Sequence, residues 1–301
     1  MLKQLQMAGA LACSCSTAAM AAPAPSITVP PSCSNGVSLS AADYATFKAQ
    51  LALAVQASGN GGLGFNMWGT IVARDGTVCA VAFSGSHLRD QWLASRVISA
   101  QKAATANSLS LGPVSGASTK GQLAMSTANL YSATQPGGSL YGLPDSNPVA
   151  AAGAYGDGIN PSTGAFIGPS NTLTYGTATD PMVGQVIGGI NVFGGGLALY
   201  NGSNRVGGVG VSGDTSCTDH MVAWQLRHGL NLDLLTAESI SGPASLFTPD
   251  TNHPDNIIYD ITPNPNGGTG ISVSGFGHPT CLKNPVVNPT TGTPTSLPPV
   301  Q

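Results

Sequence analysis

The chain has 301 residues, with 10 Lys and Arg against 13 Asp and Glu, and only 8% of its residues are charged, where an average soluble domain carries roughly 25%. A net charge of −3 offers no electrostatic footprint for nucleic acid or an anionic membrane, so the polar surface must come from Ser, Thr, Asn and backbone. The apolar fraction of 42%, with 40 Gly and 22 Pro, suits a buried core crossed by many turns and allows one large domain or two small ones.

Residues 1–22 read as a removable export signal, with Lys3 as the basic start, a short apolar run from Met7 to Ala12, and small residues Ala19 to Ala22 for cleavage. The run is too short to span a bilayer, and no later apolar stretch is long enough, so a secreted or periplasmic location is expected and no membrane span. A lipoprotein is the alternative, because Ala10-Leu11-Ala12 precedes Cys13, with Leu11 one place late for the usual pattern. Removal of the leader leaves Cys33, Cys79, Cys217 and Cys281. An even count in an exported chain points to two disulfides, with the pairing open and buried free thiols as the alternative. The spacings contain no C-x-x-C, which argues against zinc.

Residues 23–39 are Pro- and Ser-rich and read as an extended lead-in to a domain over 40–236. Ser40 or Asp43 opens a helix whose apolar stripe includes Tyr44, Phe47, Leu51 and Val55. Met67 to Arg74, the Asp75-Gly76 turn and Thr77 to Phe83 form a hairpin, the second strand apolar enough to be covered on both faces. A helix from about Asp90 to Asn107 and a short one over Gln122–Tyr131 follow. Residues 132–187 are rich in Gly, Pro, Asn, Ser and Thr and read as an insertion with some short structure, bearing function or an interface. Gly195–Tyr200 and Arg205–Ser212 pair across Asn201-Gly202, which also opens a glycosylation sequon. The last helix spans about Ser216 to Leu230, with Ser216-x-x-Asp219 as a capping-box variant. Residues 237–301 are a Pro/Asn/Gly-rich extension in which Ile257 to Tyr259 could add an edge strand. The order implies a mixed α/β (α+β) fold: a central, largely antiparallel sheet of about five strands with helices on its faces.

Gly208-x-Gly210-x-x-Gly213 fits the dinucleotide spacing, but it closes a hairpin instead of opening a βαβ unit, so close backbone approach is the better reading. No G-x-S-x-G nucleophile elbow or H-E-x-x-H metal motif occurs. Of the five histidines, His220 is the favoured metal ligand, because imidazole is a standard axial ligand for haem iron. Trp224 and Arg227 share its helical face, an aromatic to stack on a porphyrin and a guanidinium to pair with a propionate. His87, in the turn GSHLRDQW, is a second candidate ligand. Arg96 and Lys102 fall on nearly opposite sides of their helix, so one is expected at the sheet and the other at a partner or ligand. For each of these residues an ordinary structural role is the alternative.

Three pieces carry a family resemblance: the hairpin IVARDGTVCAVA, the helix SRVISAQKAATA, and GGINVFGGGLALYNGSNRVGGVGVSGDTSCTDHMVA. Together, over about residues 40–231, they resemble the GlcG/HbpS-like haem-binding (haem-degrading) domain family, with Lys102, Ala103 and Thr105 matching its second helix and Gly210–Gly213 with Asp219 its signature turn. The resemblance implies a profilin-like fold, homo-oligomeric assembly and, as in several members of the family, haem as the bound cofactor. His220 departs from it, since many members carry an acidic residue there. A non-catalytic oligomeric interaction module and a small-molecule enzyme using the same cleft stay open.

Overall fold

The computed structural model describes residues 31–35, 41–112, 122–156, 171–201, 204–235, 240–268, 270–283, 285 and 294–301. The leader at 1–22 and two residues of the sequon at 201–203 lie outside these. The first elements are helices α1 (Pro31–Asn35) and α2 (Ala41–Gln56), strands β1 (Trp68–Ala73) and β2 (Val78–Phe83), and helices α3 (Ser95–Leu109), α4 (Leu130–Thr134) and α5 (Ala151–Tyr155). Strands β3 (Gly196–Asn201) and β4 (Asn204–Ser212), helices α6 (Ser216–Gly229) and α7 (Pro243–Phe247), and strands β5 (Ile261–Thr262) and β6 (Ile271–Ser272) complete the order.

The class is mixed α/β, as the element order implies, but among the described residues the central sheet has four strands in place of about five, in the order β2-β1-β4-β3 and antiparallel throughout. Ile257 to Tyr259 do not form an edge strand: Ile257 and Ile258 are buried outside any strand, and the next residues pair only within the separate β5–β6 ribbon. The helix expected over Gln122–Tyr131 is confined to α4, because Leu123 bridges Leu111 and Ser241 and Ala124 donates to Ser241, which holds that backbone extended. Part of the extended lead-in is helical as α1.

Both faces of the sheet are covered. On one face Ile71, Leu197, Val209 and Val211 pack with Phe47 and Leu51 of α2 and Met221 and Val222 of α6. On the other, Trp68, Val72, Val78 and Val81 pack with Val97, Ala100 and Ala103 of α3 and with Ala154, Met182 and Ile187 of the insertion. This explains the unbroken apolar run in β2, every residue of which is buried.

The glycines of β4 have a specific cause. An ideal Cβ on Gly210 would run into the Ser99 carbonyl and the Ala103 nitrogen, and one on Gly208 into the Ala103 carbonyl. The backbone of α3 therefore lies directly on the backbone of β4, and only glycine leaves room for it. Beside this contact Thr70 Oγ1 and Ser99 Oγ share a buried hydrogen bond of 2.7 Å.

Two disulfides, Cys33–Cys79 and Cys217–Cys281, decide among the pairings. The first fastens α1 to β2. The second fastens α6 to the C-terminal extension. They close loops of 46 and 64 residues, each restricting the unfolded chain by roughly 4 kcal/mol in the entropic account.

The close approach makes a prediction. Gly210→Ala should destabilise the fold by about 3 kcal/mol or more, since fixed backbone atoms must move to admit the methyl. Gly229→Ala, whose added carbon meets only the flexible Gln50 side chain, should shift stability by less than about 1 kcal/mol. Urea unfolding of the two variants measures the difference.

Candidate functional site

The start of α6 is built by two aspartates. Thr215 is the cap, its side chain accepting from the Thr218 amide, in place of the Ser216 expected from sequence. Asp219 reaches back instead. Its Oδ1 accepts from the Gly213 and Asp214 amides at 3.1 and 2.9 Å, and its Oδ2 accepts from Lys102 Nζ at 2.6 Å. Lys102 also donates to the Val211 carbonyl at 3.1 Å and lies over the Phe193 ring. Both side chains are buried. Burial pushes the Asp219 carboxyl up to about 6 and the Lys102 ammonium down, each shift partly offset by the other's charge. Asp214 holds the glycine loop before β1 by accepting from the Leu63 and Phe65 amides.

His220, Trp224 and Arg227 do share one face of α6, and that face is covered by the C-terminal extension. Arg227 makes a two-pronged pair with Asp255 at 2.6 and 2.9 Å and donates to the Ala198 carbonyl. Trp224 Nε1 donates to the Pro298 carbonyl at 2.9 Å, with the Arg227 guanidinium over its ring. His220 Nε2 lies 3.2 Å from both Asn256 Oδ1 and the Ile257 amide, while its Nδ1 has no partner among the described residues. All three side chains are buried. Burial pushes the His220 imidazole down to about 3, so it is neutral. A flat macrocycle finds no room on this face while residues 255–257 occupy it.

A second histidine lies at the same helix start. Gly194 donates to Ser216 Oγ at 2.7 Å, and Ser216 Oγ lies 2.7 Å from His278 Nε2, whose ring is held at Nδ1 by the Pro279 carbonyl. This network assigns the proton to Nδ1 and leaves Nε2 accepting from the serine. Burial pushes His278 down to about 4. His278 forms a cluster with Cys217 and Cys281, their candidate ligand atoms all within 4.8 Å of one another. Their sulfurs are joined in the disulfide, and a metal takes thiolate, so this cluster could hold an ion only in the reduced chain.

Arg96 and Lys102, expected on opposite sides of α3, are both internal. Arg96 pairs with Asp180 of the insertion, donates to the Ala154 carbonyl at 2.9 Å and stacks on the Tyr175 ring. His87 is the one sequence-predicted site residue that is exposed. Its turn is shaped by Asp90 Oδ2, which accepts from the Ser86 and His87 amides at 2.8 and 2.7 Å, and by Gln91, which donates to the His87 carbonyl. The structure thus brings together His220, Trp224 and Arg227, joins Lys102 to Asp219, and leaves Arg96 and His87 apart from them. Sequence reading missed Asp180, Asp255 and Asn256, which complete these contacts. All three sit in loops without periodicity, where no local signal marks them.

No known family's sequence profile matches the chain, and no curated protein does. Among solved structures its fold is similar to that of the PduOC–haem complex, at 20% identity and a TM-score of 0.38, covering 64% of this chain and 94% of that one. It is also similar to the Klebsiella pneumoniae protein ORFY, a DUF336 protein, at 22% identity and a TM-score of 0.36, covering 64% of this chain and 90% of that one. Both are likenesses of fold.

Two predictions follow from the buried charges. Asp255→Ala leaves the Arg227 guanidinium buried without its carboxylate and should cost about 3–5 kcal/mol in urea unfolding. Acidification should also destabilise the fold. The folded chain holds His220 and His278 neutral down to about 3 and about 4, whereas the unfolded chain protonates them near 6.5. Their contribution is full above pH 6.5 and is lost as pH falls below it. Asp219, raised to about 6, and His253, raised despite its partial burial by its contacts with Asp250 and the Leu297 carbonyl, act in the opposite sense and offset part of this loss. Unfolding at pH 5 should show a stability lower than at pH 7 by on the order of 1–3 kcal/mol.

Proposed function

We propose that this chain is an exported haem- or tetrapyrrole-binding domain of the GlcG/HbpS-like, profilin-like type. The observation that supports it most is that the motifs carrying the resemblance fold into one unit. The β1–β2 hairpin, α3 and β3–β4–α6 make up the whole four-stranded sheet and two of the three long helices that cover it, and Lys102 meets Asp219 at 2.6 Å. Two disulfides agree with an oxidising compartment.

A macrocycle of this kind is held by an approachable axial ligand, commonly an imidazole, and a broad apolar wall. The turn after β2 offers both. His87 and Arg89 are exposed there, an iron ligand and a partner for a propionate. The same turn runs on to Trp92 and Leu93, which are 52% and 56% exposed, and Trp92 packs edge-on against Phe65 at 5.3 Å. Leu63, two residues before Phe65, is 41% exposed. His220, Trp224 and Arg227 would serve only if residues 255–257 withdrew from α6. Bound haem would supply the redox chemistry of any degradation; the chain's own part is to hold it and shield one face.

A second reading, a non-catalytic homo-oligomeric module, draws on the same patch, since exposed clustered aromatics also suit a protein contact. Titration of the purified protein with hemin separates the two. The haem reading expects a saturable Soret shift that His87→Ala abolishes and His220→Ala preserves. A shift lost only in His220→Ala would move the site to α6 and require the extension to open. A defined oligomer by light scattering with no saturable shift would sink the haem reading and favour the module.

A further inference from the structure

The other end of the sheet holds a feature that the haem reading does not use. Ala73 pairs with Gly207, so the β1–β2 turn and the start of β4 lie side by side, one strand length, roughly 20 Å, from the His87 turn. With α1 they line an open, solvent-facing groove of about 490 Å³, its walls formed by Ser32, Arg74, Asp75, Asn201, Asn204 and Arg205. That volume is in the range of small-molecule sites.

Cations are scarce in this chain, at 10 of 301 residues. Three of them, Arg96, Lys102 and Arg227, are consumed in buried ion pairs. Two others stand together at this groove, and neither Arg74 nor Arg205 takes part in an ion pair among the described residues. Nε and Nη1 of Arg205 are shielded from solvent with no hydrogen-bond partner among those residues. A charged donor left so is costly unless an acceptor meets it. Burial pulls the Arg205 guanidinium below its usual value, with the Tyr200 hydroxyl opposing the shift and the neighbouring Arg74 charge adding to it.

The one carboxylate on the wall is already engaged. Asp75 Oδ2 accepts from Ser32 Oγ at 2.5 Å and Oδ1 accepts from the Thr77 amide at 3.0 Å. The Cys33–Cys79 disulfide holds Ser32 in place by fastening α1 to β2. The exposed amides of Asn201 and Asn204 supply further donors and acceptors.

We propose that this groove is a binding site for a small oxyanion-bearing ligand, whose carboxylate, sulfate or phosphate group is held between Arg74 and Arg205. A guanidinium presents its N–H groups as a fork that matches two oxygens of such a group. Asp75 on the rim disfavours a polyanion and suits a ligand with hydroxyls beside a single anionic group, such as a sugar acid.

Isothermal titration of the full-length, disulfide-bonded protein at low ionic strength, with inorganic phosphate, sulfate and glucuronate as separate probes, tests this. One saturable site is expected for at least one probe, and the probe that binds identifies the anion. Arg205→Gln should weaken it by about tenfold or more, as should the exposed-site change Arg74→Ala, which decides the matter if Arg205→Gln fails to fold. Absence of saturable binding for all three probes, or wild-type affinity in a folded Arg74→Ala protein, overturns the proposal. Neither result bears on the hemin titration.

Discussion

The approach of α3 to the bare backbone of β4 is the constraint on which the rest of the molecule depends. Gly208 and Gly210 remove the side chains that would hold the helix off the sheet. Because α3 sits so close, Lys102 reaches under the end of β4 to Asp219, and Thr70 reaches Ser99. Dispersion and area burial act here through backbone atoms and alanine methyls, with little side-chain bulk. The polar partners then keep one register of helix on sheet, because shifting it would strand buried donors.

The low charge content takes on a structural meaning. Three cations on α3 and α6 are inside the protein, each paired with an aspartate from a different part of the chain. Arg96–Asp180 ties the insertion to α3, Lys102–Asp219 ties α3 to α6, and Arg227–Asp255 ties α6 to the C-terminal extension. Buried pairs of this kind contribute little net stability over apolar packing but are severe when broken. Here they act as registration pins between long, weakly patterned segments, with the Cys217–Cys281 disulfide as a covalent pin beside the third. Among the described residues the surface is left mostly to neutral polar groups with a few charges of either sign, which gives two neighbouring arginines such as Arg74 and Arg205 their significance.

The strong local signals in the sequence corresponded to real elements. The Asp75-Gly76 hairpin, the strand pairs and the three long helices are where the apolar periodicity put them, within a few residues at their ends, since periodic burial is a local property. The glycine run of β4 was legible as close approach and not as a nucleotide loop, because it ends a hairpin. Less was legible in segments where the chain follows tertiary partners. Residues 122–129 look helical in composition, yet their backbone hydrogen bonds go to Leu111 and Ser241. The insertion and the extension read as loop-rich, and their order comes from Asp180, Asp255 and Asn256 meeting groups far away in sequence.

For the site, helical spacing alone put His220, Trp224 and Arg227 on one face, and the even cysteine count pointed to two disulfides without choosing their pairing. Only the tertiary structure decided what that face meets, which was the chain's own extension and not an open cleft. It also decided that Arg96 and Lys102 both turn inward, that His87 remains exposed, and how the cysteines pair. The physical reason is range. Periodicity and turn chemistry are set by neighbours a few residues apart, whereas the partner of a buried charge or thiol is chosen by packing across dozens of residues, which no local pattern encodes.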